Sequence, residues 1–196
     1  ASTNTAIGFQ ALKSNTTGDR LTAVGYCALM SNSTGVNGTA MGWCALRANT
    51  TGTGNTAFGY SVLEDTTTGD QNTGVGYRML EENTTGTSNS ALGGCALRLN
   101  TTGGSNTAMG VCALGSNTTG ELNTAIGLNS MKSTTTASSN TAVGKDSLCV
   151  NQTGGFLVAV GQSALRNNTG SANTALGADA MFENSSGSCN VAVGKF

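Results

Sequence analysis

The sequence predicts an all-β fold, a parallel β-solenoid or β-roll of about twelve coils with 17 residues each. Two observations carry this prediction. The unit Asn-Thr-Ala-Ile-Gly-Phe-Gln-Ala-Leu-Lys-Ser-Asn-Thr-Thr-Gly begins at Asn4 and recurs from end to end, which is typical of stacked repeats. Each unit also has only two large apolar positions, so one coil cannot offset the entropy of folding and must share its core with its neighbours.

The period defines a single repeat array over residues 1–196, with no linker and no segment that breaks it. One glycine closes each Thr-Ala-Ile-Gly segment, and the step between these glycines is 17 residues except for one step of 16. We therefore predict one domain. The glycines are Gly8, Gly25, Gly42, Gly59, Gly76, Gly93, Gly110, Gly127, Gly144, Gly161, Gly177 and Gly194.

Equivalent residues of successive coils should lie above one another, about 4.8 Å apart, and each such column is named here by its first member. The Ile7 column is large and apolar in every unit, and the Leu12 column is Leu or Met. Both columns are predicted to form the core. Because neighbouring strand residues point to opposite faces, the small residues at Ala6 and Gly8 should form a flat face. That face is either packed within the coil or covered by another chain.

The position after the glycine begins as an aromatic ladder, Phe9, Tyr26, Trp43, Tyr60 and Tyr77, and then becomes mixed. No converging polar groups accompany these rings, so we interpret them as a half-buried ladder or one covered by a partner chain. The Lys13 column is mostly charged, with both signs, and is interpreted as facing solvent.

The segment Asn15-Thr16-Thr17-Gly18 recurs as a turn, in which glycine should supply a positive φ and the polar side chains should bond to nearby backbone. The 16-residue unit loses its residue in this turn. A second asparagine column, which begins at Asn4, should bond coil to coil through stacked amides.

Composition excludes several function classes. The net charge of −1 gives no electrostatic reason to expect nucleic-acid binding. The sequence contains no run of about 20 apolar residues, so no membrane span is predicted. The chain opens at Ala1 with neither a methionine nor a signal peptide and stops in mid-unit, so we expect a processed product or a fragment of a longer protein.

No enzyme is predicted, and neither a cofactor nor a metal site. The chain has no histidine, so the usual serine and cysteine triads are missing. Carboxylates do not recur as facing pairs, no Gly-Lys-Ser/Thr follows the glycines, and the calcium-binding glycine repeat and Cys-x-x-Cys are absent.

Cysteines stand on adjacent coils in one column at Cys27 and Cys44, and again at Cys95 and Cys112. Cα atoms one coil apart are compatible with a disulfide. The alternative is that these are buried thiols in a slot for small residues.

The turn sequence also matches the N-glycosylation acceptor motif Asn-x-Ser/Thr. They are Asn15, Asn32, Asn37, Asn49, Asn83, Asn100, Asn117, Asn151, Asn167 and Asn184. The alternative is that Asn-Thr-Thr is simply a good turn copied by duplication.

Two threonine columns, from Thr5 and from Thr17, likewise allow two interpretations: a rank of outward hydroxyls that binds ice, or ordinary ladder bonding and turn chemistry.

The unit that begins at Asn4 resembles the repeats of tail-fibre-like proteins of phages, large viruses and bacteria, and more distantly the head repeats of trimeric autotransporter adhesins. This resemblance implies a non-catalytic structural or adhesive fibre segment that is extracellular or on a virion or cell surface. It also implies self-association, as a homotrimer or an end-to-end filament, and contact with a cell-surface receptor or glycan. The alternative function is an ice-binding solenoid.

Overall fold

The computed structural model describes residues 3–195, in which the chain forms one parallel sheet of twelve short strands. Each strand belongs to one coil, and coils are numbered here by their strands. The strands are β1 (Thr5–Ile7), β2 (Thr22–Val24), β3 (Thr39–Met41), β4 (Thr56–Tyr60), β5 (Thr73–Tyr77), β6 (Ser90–Gly94), β7 (Thr107–Met109), β8 (Thr124–Ile126), β9 (Thr141–Val143), β10 (Val158–Val160), β11 (Thr174–Leu176) and β12 (Val191–Val193). They pair in chain order, so the predicted all-β parallel β-solenoid is confirmed.

The register follows the sequence repeat. Thr5 pairs with Thr22 and Ile7 with Val24. The stacking continues outside the strands, where the amide of Leu12 donates to the carbonyl of Ala28 at 3.1 Å. The 16-residue unit keeps the register of its strands, because Val158 pairs with Thr174 and the missing residue falls in the turn.

The Leu12 column forms the core, as predicted. Leu29, Leu46 and Leu97 are completely buried. These leucines have a left-handed backbone, with φ of 49° at Leu29 and 51° at Leu97, which the sequence did not predict. A left-handed backbone costs roughly 1–2 kcal/mol, and full burial of leucine returns about 1.5–3 kcal/mol. In this column, burial of the leucine side chain therefore offsets the cost of the backbone conformation.

The prediction that the Ile7 column also forms the core is wrong. Ile7 is 60% exposed and Leu92 is 46% exposed, whereas the intervening Ala6 column is buried from Ala23 to Ala175. The reason is the narrowness of the coil, in which the strand lies directly against the Leu12 column and the small residues of the Ala11 column. Only a methyl group fits between them, so alanine turns inward and the larger side chain turns out.

Residue sizes inside the coil compensate one another, which supports this explanation. Coils 4 and 5 place Val62 and Met79 where the other coils have alanine or serine, and the strand position between them is Gly74 instead of alanine. A Cβ atom at Gly74 would lie only 2.6 Å from Cγ1 of Val62. The small strand residues are thus packed within the coil, which was one of the two expected interpretations.

Two ladders of buried asparagine amides run along the coil axis. In the Asn15 column, the Asn100 side chain donates to Oδ1 of Asn83 at 2.7 Å and to the carbonyl of Gly103 at 2.9 Å. In the Asn4 column, Asn89 donates to Oδ1 of Asn72 at 3.1 Å, which confirms the predicted coil-to-coil bonding. Each amide therefore joins its own turn to the neighbouring coil.

The role predicted for the turn glycine is wrong. Gly18 and Gly103 are not among the glycines with positive φ, whereas Gly8 has a φ of 126°. A Cβ atom at Gly103 would lie 2.6 Å from Oδ1 of Asn100. The same Cβ atom would also collide with the carbonyl oxygen of Gly120 in the next coil, so the turn position requires glycine because both the next turn and the asparagine ladder pass close to it.

The Asn15 column is interrupted where Thr66 and Thr134 replace asparagine. At these points Oδ1 of Asn49 and of Asn117, and the hydroxyl of Thr66, are buried without a hydrogen-bond partner among the described residues. Each interruption removes the donor that the next amide would supply. The gaps are thus defects in an otherwise continuous ladder.

Leu97→Ala should lower the free energy of unfolding by about 2–5 kcal/mol, because it leaves a cavity in the core. Leu92→Ala should change it by less than about 1 kcal/mol, because this side chain faces outward. Urea unfolding followed by circular dichroism, at a protein concentration too low for copies to associate, measures both. Equal losses would contradict the assignment of the two faces.

Thr66→Asn should raise the free energy of unfolding by about 1–2 kcal/mol, because it gives Oδ1 of Asn49 a donor and rejoins the ladder. The matched variant Asn83→Thr widens the interruption by one coil, because it removes the Oδ1 atom that accepts from Asn100, and should lower stability by a similar amount. The same unfolding measurement applies, in protein from a host that does not glycosylate. A destabilising Thr66→Asn would show that the ladder does not carry the energy assigned to it.

Candidate functional site: the outer face of the sheet

The outward side of the sheet carries up to three columns of side chains. In β4, Thr56, Phe58 and Tyr60 point outward, while Ala57 between them is fully buried. The Thr5, Ile7 and Phe9 columns therefore share one surface, called here the outer face. Eleven steps of about 4.8 Å make this face roughly 53 Å long, and three alternate strand residues make it about 15 Å wide.

Large apolar side chains are exposed along the whole outer face. Those more than a third exposed in the Ile7 column are Ile7, Met41, Phe58, Val75, Leu92, Met109, Ile126, Leu176 and Val193. In β10 and β12, Val158 and Val191 replace the outward threonine and add to the apolar surface. A continuous apolar surface of this size is much larger than the scattered exposed residues of ordinary monomers.

The aromatic residues form two exposed stacks at one edge of the outer face. Ring centroids are 5.3 Å apart between Phe9 and Tyr26 and 4.1 Å apart between Tyr26 and Trp43. A second stack joins Tyr60 and Tyr77 at 5.5 Å. Because the near-parallel rings cover one another's faces, they present their edges to solvent and act as a ridge beside the aliphatic column.

A shallow depression interrupts the outer face near its middle. It is lined mainly by Val75, Leu92 and Met109, with Thr73, Ser90 and Thr107 beside them. Ser90 stands where the neighbouring strands have threonine, and its smaller side chain deepens the surface. The lining is nearly all apolar carbon, so the depression suits an apolar side chain from a partner.

The turns present a different, polar surface. Thr16 donates its hydroxyl to the carbonyl of Ser33 at 2.8 Å, and Thr50 donates to Thr67 at 3.0 Å, so this threonine column supports the ladder. The adjacent Thr17 column is exposed in every coil that has it. Its members are Thr17, Thr34, Thr51, Thr68, Thr85, Thr102, Thr119, Thr136 and Thr153. Thr169 of the 16-residue unit instead donates its hydroxyl to the carbonyl of Ser185, as the Thr16 column does. The Thr5 column instead lies on the outer face.

The largest group of charged side chains lies on the Lys13 column and beside it, away from the outer face, whereas Lys145 and Lys195 stand in the Phe9 column. Arg47 pairs with Glu64 at 2.8 Å and with Asp65 at 3.2 Å in the next coil. Many residues of this column are half-buried by such contacts and not fully solvent-facing. Pairs with this much exposure contribute little, at most about 1 kcal/mol each.

Most of the predicted glycosylation acceptors lie inside the coil. The buried acceptors are Asn32, Asn49, Asn83, Asn100, Asn117 and Asn151. Asn15, Asn167 and Asn184 are half-buried, and Asn37 is exposed. A glycan on a buried amide would occupy the nitrogen that donates to the ladder, so Asn37 is the acceptor that the folded chain presents most openly.

The six cysteines are free thiols, including the four predicted as disulfide candidates. Cys27 and Cys44 are buried, and Cys95 and Cys112 are half-buried.

Within residues 3–195, no group of three or more potential ligand residues comes together as a metal site. The same residues include no helix that is long and apolar enough to cross a bilayer.

No family model, curated protein or solved structure matches this chain. The geometry of the chain itself therefore supplies the argument for its function. Its most unusual feature is an apolar surface that continues along the length of the solenoid.

When the chain is secreted from a glycosylating host, we expect a glycan on Asn37 and none on Asn32, Asn49 or Asn100. Mass spectrometry of glycopeptides from the folded, secreted protein measures this, and Asn37→Gln should remove the modification. Full occupancy of Asn100 in protein that keeps its β-sheet circular dichroism would contradict the position of its amide in the ladder.

Proposed function

We propose that this chain is a segment of a structural or adhesive fibre in which copies associate through their outer faces. The observation that carries the proposal is the continuous apolar surface formed by the Ile7 column. In a single chain these side chains contact water, and their removal from water favours association by about 25 cal/mol per Å².

The dimensions of the outer face support a second copy as the occupant. A surface of roughly 53 Å by 15 Å is close to the 800 Å² or so per partner that specific interfaces bury. A second solenoid repeats every 4.8 Å or so along its axis, so its side chains meet this face with the same spacing at each coil. A globular partner would match the repeat at only a few coils.

The distribution of charge favours the same occupant. The ion pairs of Arg47 and Arg98 lie on the turn side, so two outer faces approach without desolvating these charges. Lys145 and Lys195 stand in the Phe9 column near one end. The most apolar part of the face is the half that carries the aromatic stacks.

A homotrimer is the arrangement that the resemblance to fibre and adhesin repeats implies. Three outer faces around a common axis would bury every Ile7 column and leave the polar turns outside. The exposed Thr17 column and the open Asn37 would then face the surroundings, where a receptor or glycan is contacted. Such a shaft belongs outside the cell or on a virion or cell surface.

Ice binding is the second candidate, and the exposed Thr17 column is the observation that favours it. Its hydroxyls repeat with the ladder spacing, and those of Thr34, Thr68 and Thr85 have no role in the ladder bonds. It ranks second because the neighbouring position varies, from Val36 to Asp70 to Gly104, so the regular surface is only one side chain wide.

The experiment compares two triple variants with the same charge change in the same coils. Val75→Lys, Leu92→Lys and Met109→Lys alter the outer face, and Thr85→Lys, Thr102→Lys and Thr119→Lys alter the turns. Sedimentation and light scattering should show multi-chain particles for the unmodified chain and for the turn variant. The outer-face variant should be monomeric with an unchanged circular dichroism spectrum.

A monomeric unmodified chain, or an outer-face variant that still associates, would contradict the proposal. Thermal hysteresis separates the second candidate in the same samples. Hysteresis that the turn variant loses and the outer-face variant keeps would favour ice binding over fibre assembly.

A further inference from the structure

Two cysteine pairs occupy one column of the solenoid, on the turn that follows the strand. The amide of Cys95 donates to the carbonyl of Tyr77 at 2.9 Å, and that of Cys112 donates to Gly94 at 2.9 Å. Both residues have a φ of 57°. They are therefore equivalent positions of coils 6 and 7, and their Cα atoms are about 4.8 Å apart. This separation lies within the range that a disulfide spans.

Cys95 and Cys112 line an open groove of about 130 Å³. Gly115 forms part of its wall at a position where the coil before has Arg98 and the coil after has Lys132. A Cβ atom at Gly115 would lie 3.2 Å from the carbonyl oxygen of Cys112. Glycine has no side chain to cover this part of the groove, and the two half-buried cysteines are reached from it.

Cys27 and Cys44 are the same pair in coils 2 and 3, but they are enclosed. They are 5% and 7% exposed, and Arg47, which is ion-paired with Glu64, lies close to them. Burial, and then the Glu64 carboxylate and the Cys27 thiol, raise the pKa of Cys44 above its ordinary value. A thiol attacks as its thiolate, so this pair should react slowly.

The groove also carries cationic groups. Lys132 and Arg98 line it, and Arg98 is additionally held by Glu81 at 3.7 Å and Glu82 at 3.5 Å. These two carboxylates offset the charge of Arg98, so Lys132, which forms no ion pair within residues 3–195, is the cation that a small disulfide carrying carboxylates, such as oxidised glutathione, would meet.

We propose that Cys95 and Cys112 are an exchange-active dithiol that closes to a disulfide between coils 6 and 7. The thiolate of one cysteine attacks a sulfur of the small disulfide and releases one small thiol, which leaves a mixed disulfide. The thiolate of the other cysteine then attacks the protein sulfur and releases the second small thiol. The protein loses two thiol hydrogens, the reactant gains two, and one S–S bond replaces another.

This bond would join two coils that are otherwise held by hydrogen bonds, and it would close a loop of one repeat. Oxidation outside the cell would thus lock the middle of the solenoid against local opening. The inference rests on the groove and the register, and it does not depend on the proposed association of copies.

The test uses the full chain with Cys149→Ser and Cys189→Ser, so that the two pairs carry all remaining thiols. The folded protein is incubated with oxidised glutathione, and peptide mass spectrometry follows the bonds. We expect a Cys95–Cys112 disulfide to form first, with the loss of two reactive thiols and a rise in thermal midpoint. Adding Cys112→Ser should stop the reaction at a glutathione adduct on Cys95.

Gly115→Arg is the access control, because Arg98 occupies the same position one coil earlier and Gly115 has no left-handed φ. It should slow disulfide formation by roughly tenfold or more while leaving the fold intact. The proposal is overturned if the Cys27–Cys44 disulfide forms as fast as the Cys95–Cys112 disulfide. It is also overturned if Cys95 remains a glutathione adduct in the chain that keeps Cys112, or if the disulfide joins two chains. An unreactive Cys95–Cys112 pair also overturns it.

Discussion

Hydrogen bonds along the solenoid axis are the interaction on which every other feature depends. One coil has a strand of only three to five residues and one fully buried leucine, so it has no stable structure alone. The Leu97 amide donates to the Ala113 carbonyl at 3.0 Å, and the Asn100 and Asn89 amides extend the same pattern through the side chains. Each coil is thus folded by its neighbours, as in other one-dimensional repeat proteins.

This constraint separates positions that must repeat from positions that are free to vary. A Cβ atom at Gly8 would collide with the backbone of Gly25 in the next coil, and a larger residue in the Ala6 column would collide with the Ala11 column. Asn15 repeats because each amide bonds the next one in the ladder. Phe9 and Lys13 have equivalents that range from aromatic to charged, because those positions point away from the ladder. The variation from aromatic to charged residues therefore lies at the surface, and both the outer face and the thiol groove are there.

The outer face and the buried amides reverse the usual arrangement of polar and apolar groups. Asparagines are inside, where their neighbours satisfy them except beside Thr66 and Thr134, and aliphatic side chains such as Ile7 and Leu92 are outside. Enclosed amides are stable only when their hydrogen bonds are complete. The exposed aliphatic residues gain nothing in a single chain, which is why association of copies is the function that this geometry supports best.

The sequence by itself determined the period, the all-β class, the register and the Leu12 core, because equal spacing places equal residues above one another. It also located the aromatic ladder and the two cysteine pairs. It did not determine that Ala6 turns inward and Ile7 outward, since alternation assigns them to opposite faces without saying which face is buried. Nor did it show that most of the turn acceptors, such as Asn83 and Asn100, are enclosed, because Asn-Thr-Thr-Gly has the composition of a surface turn. Only the tertiary structure decided these points, because the space between strand and leucine admits a methyl group and no more.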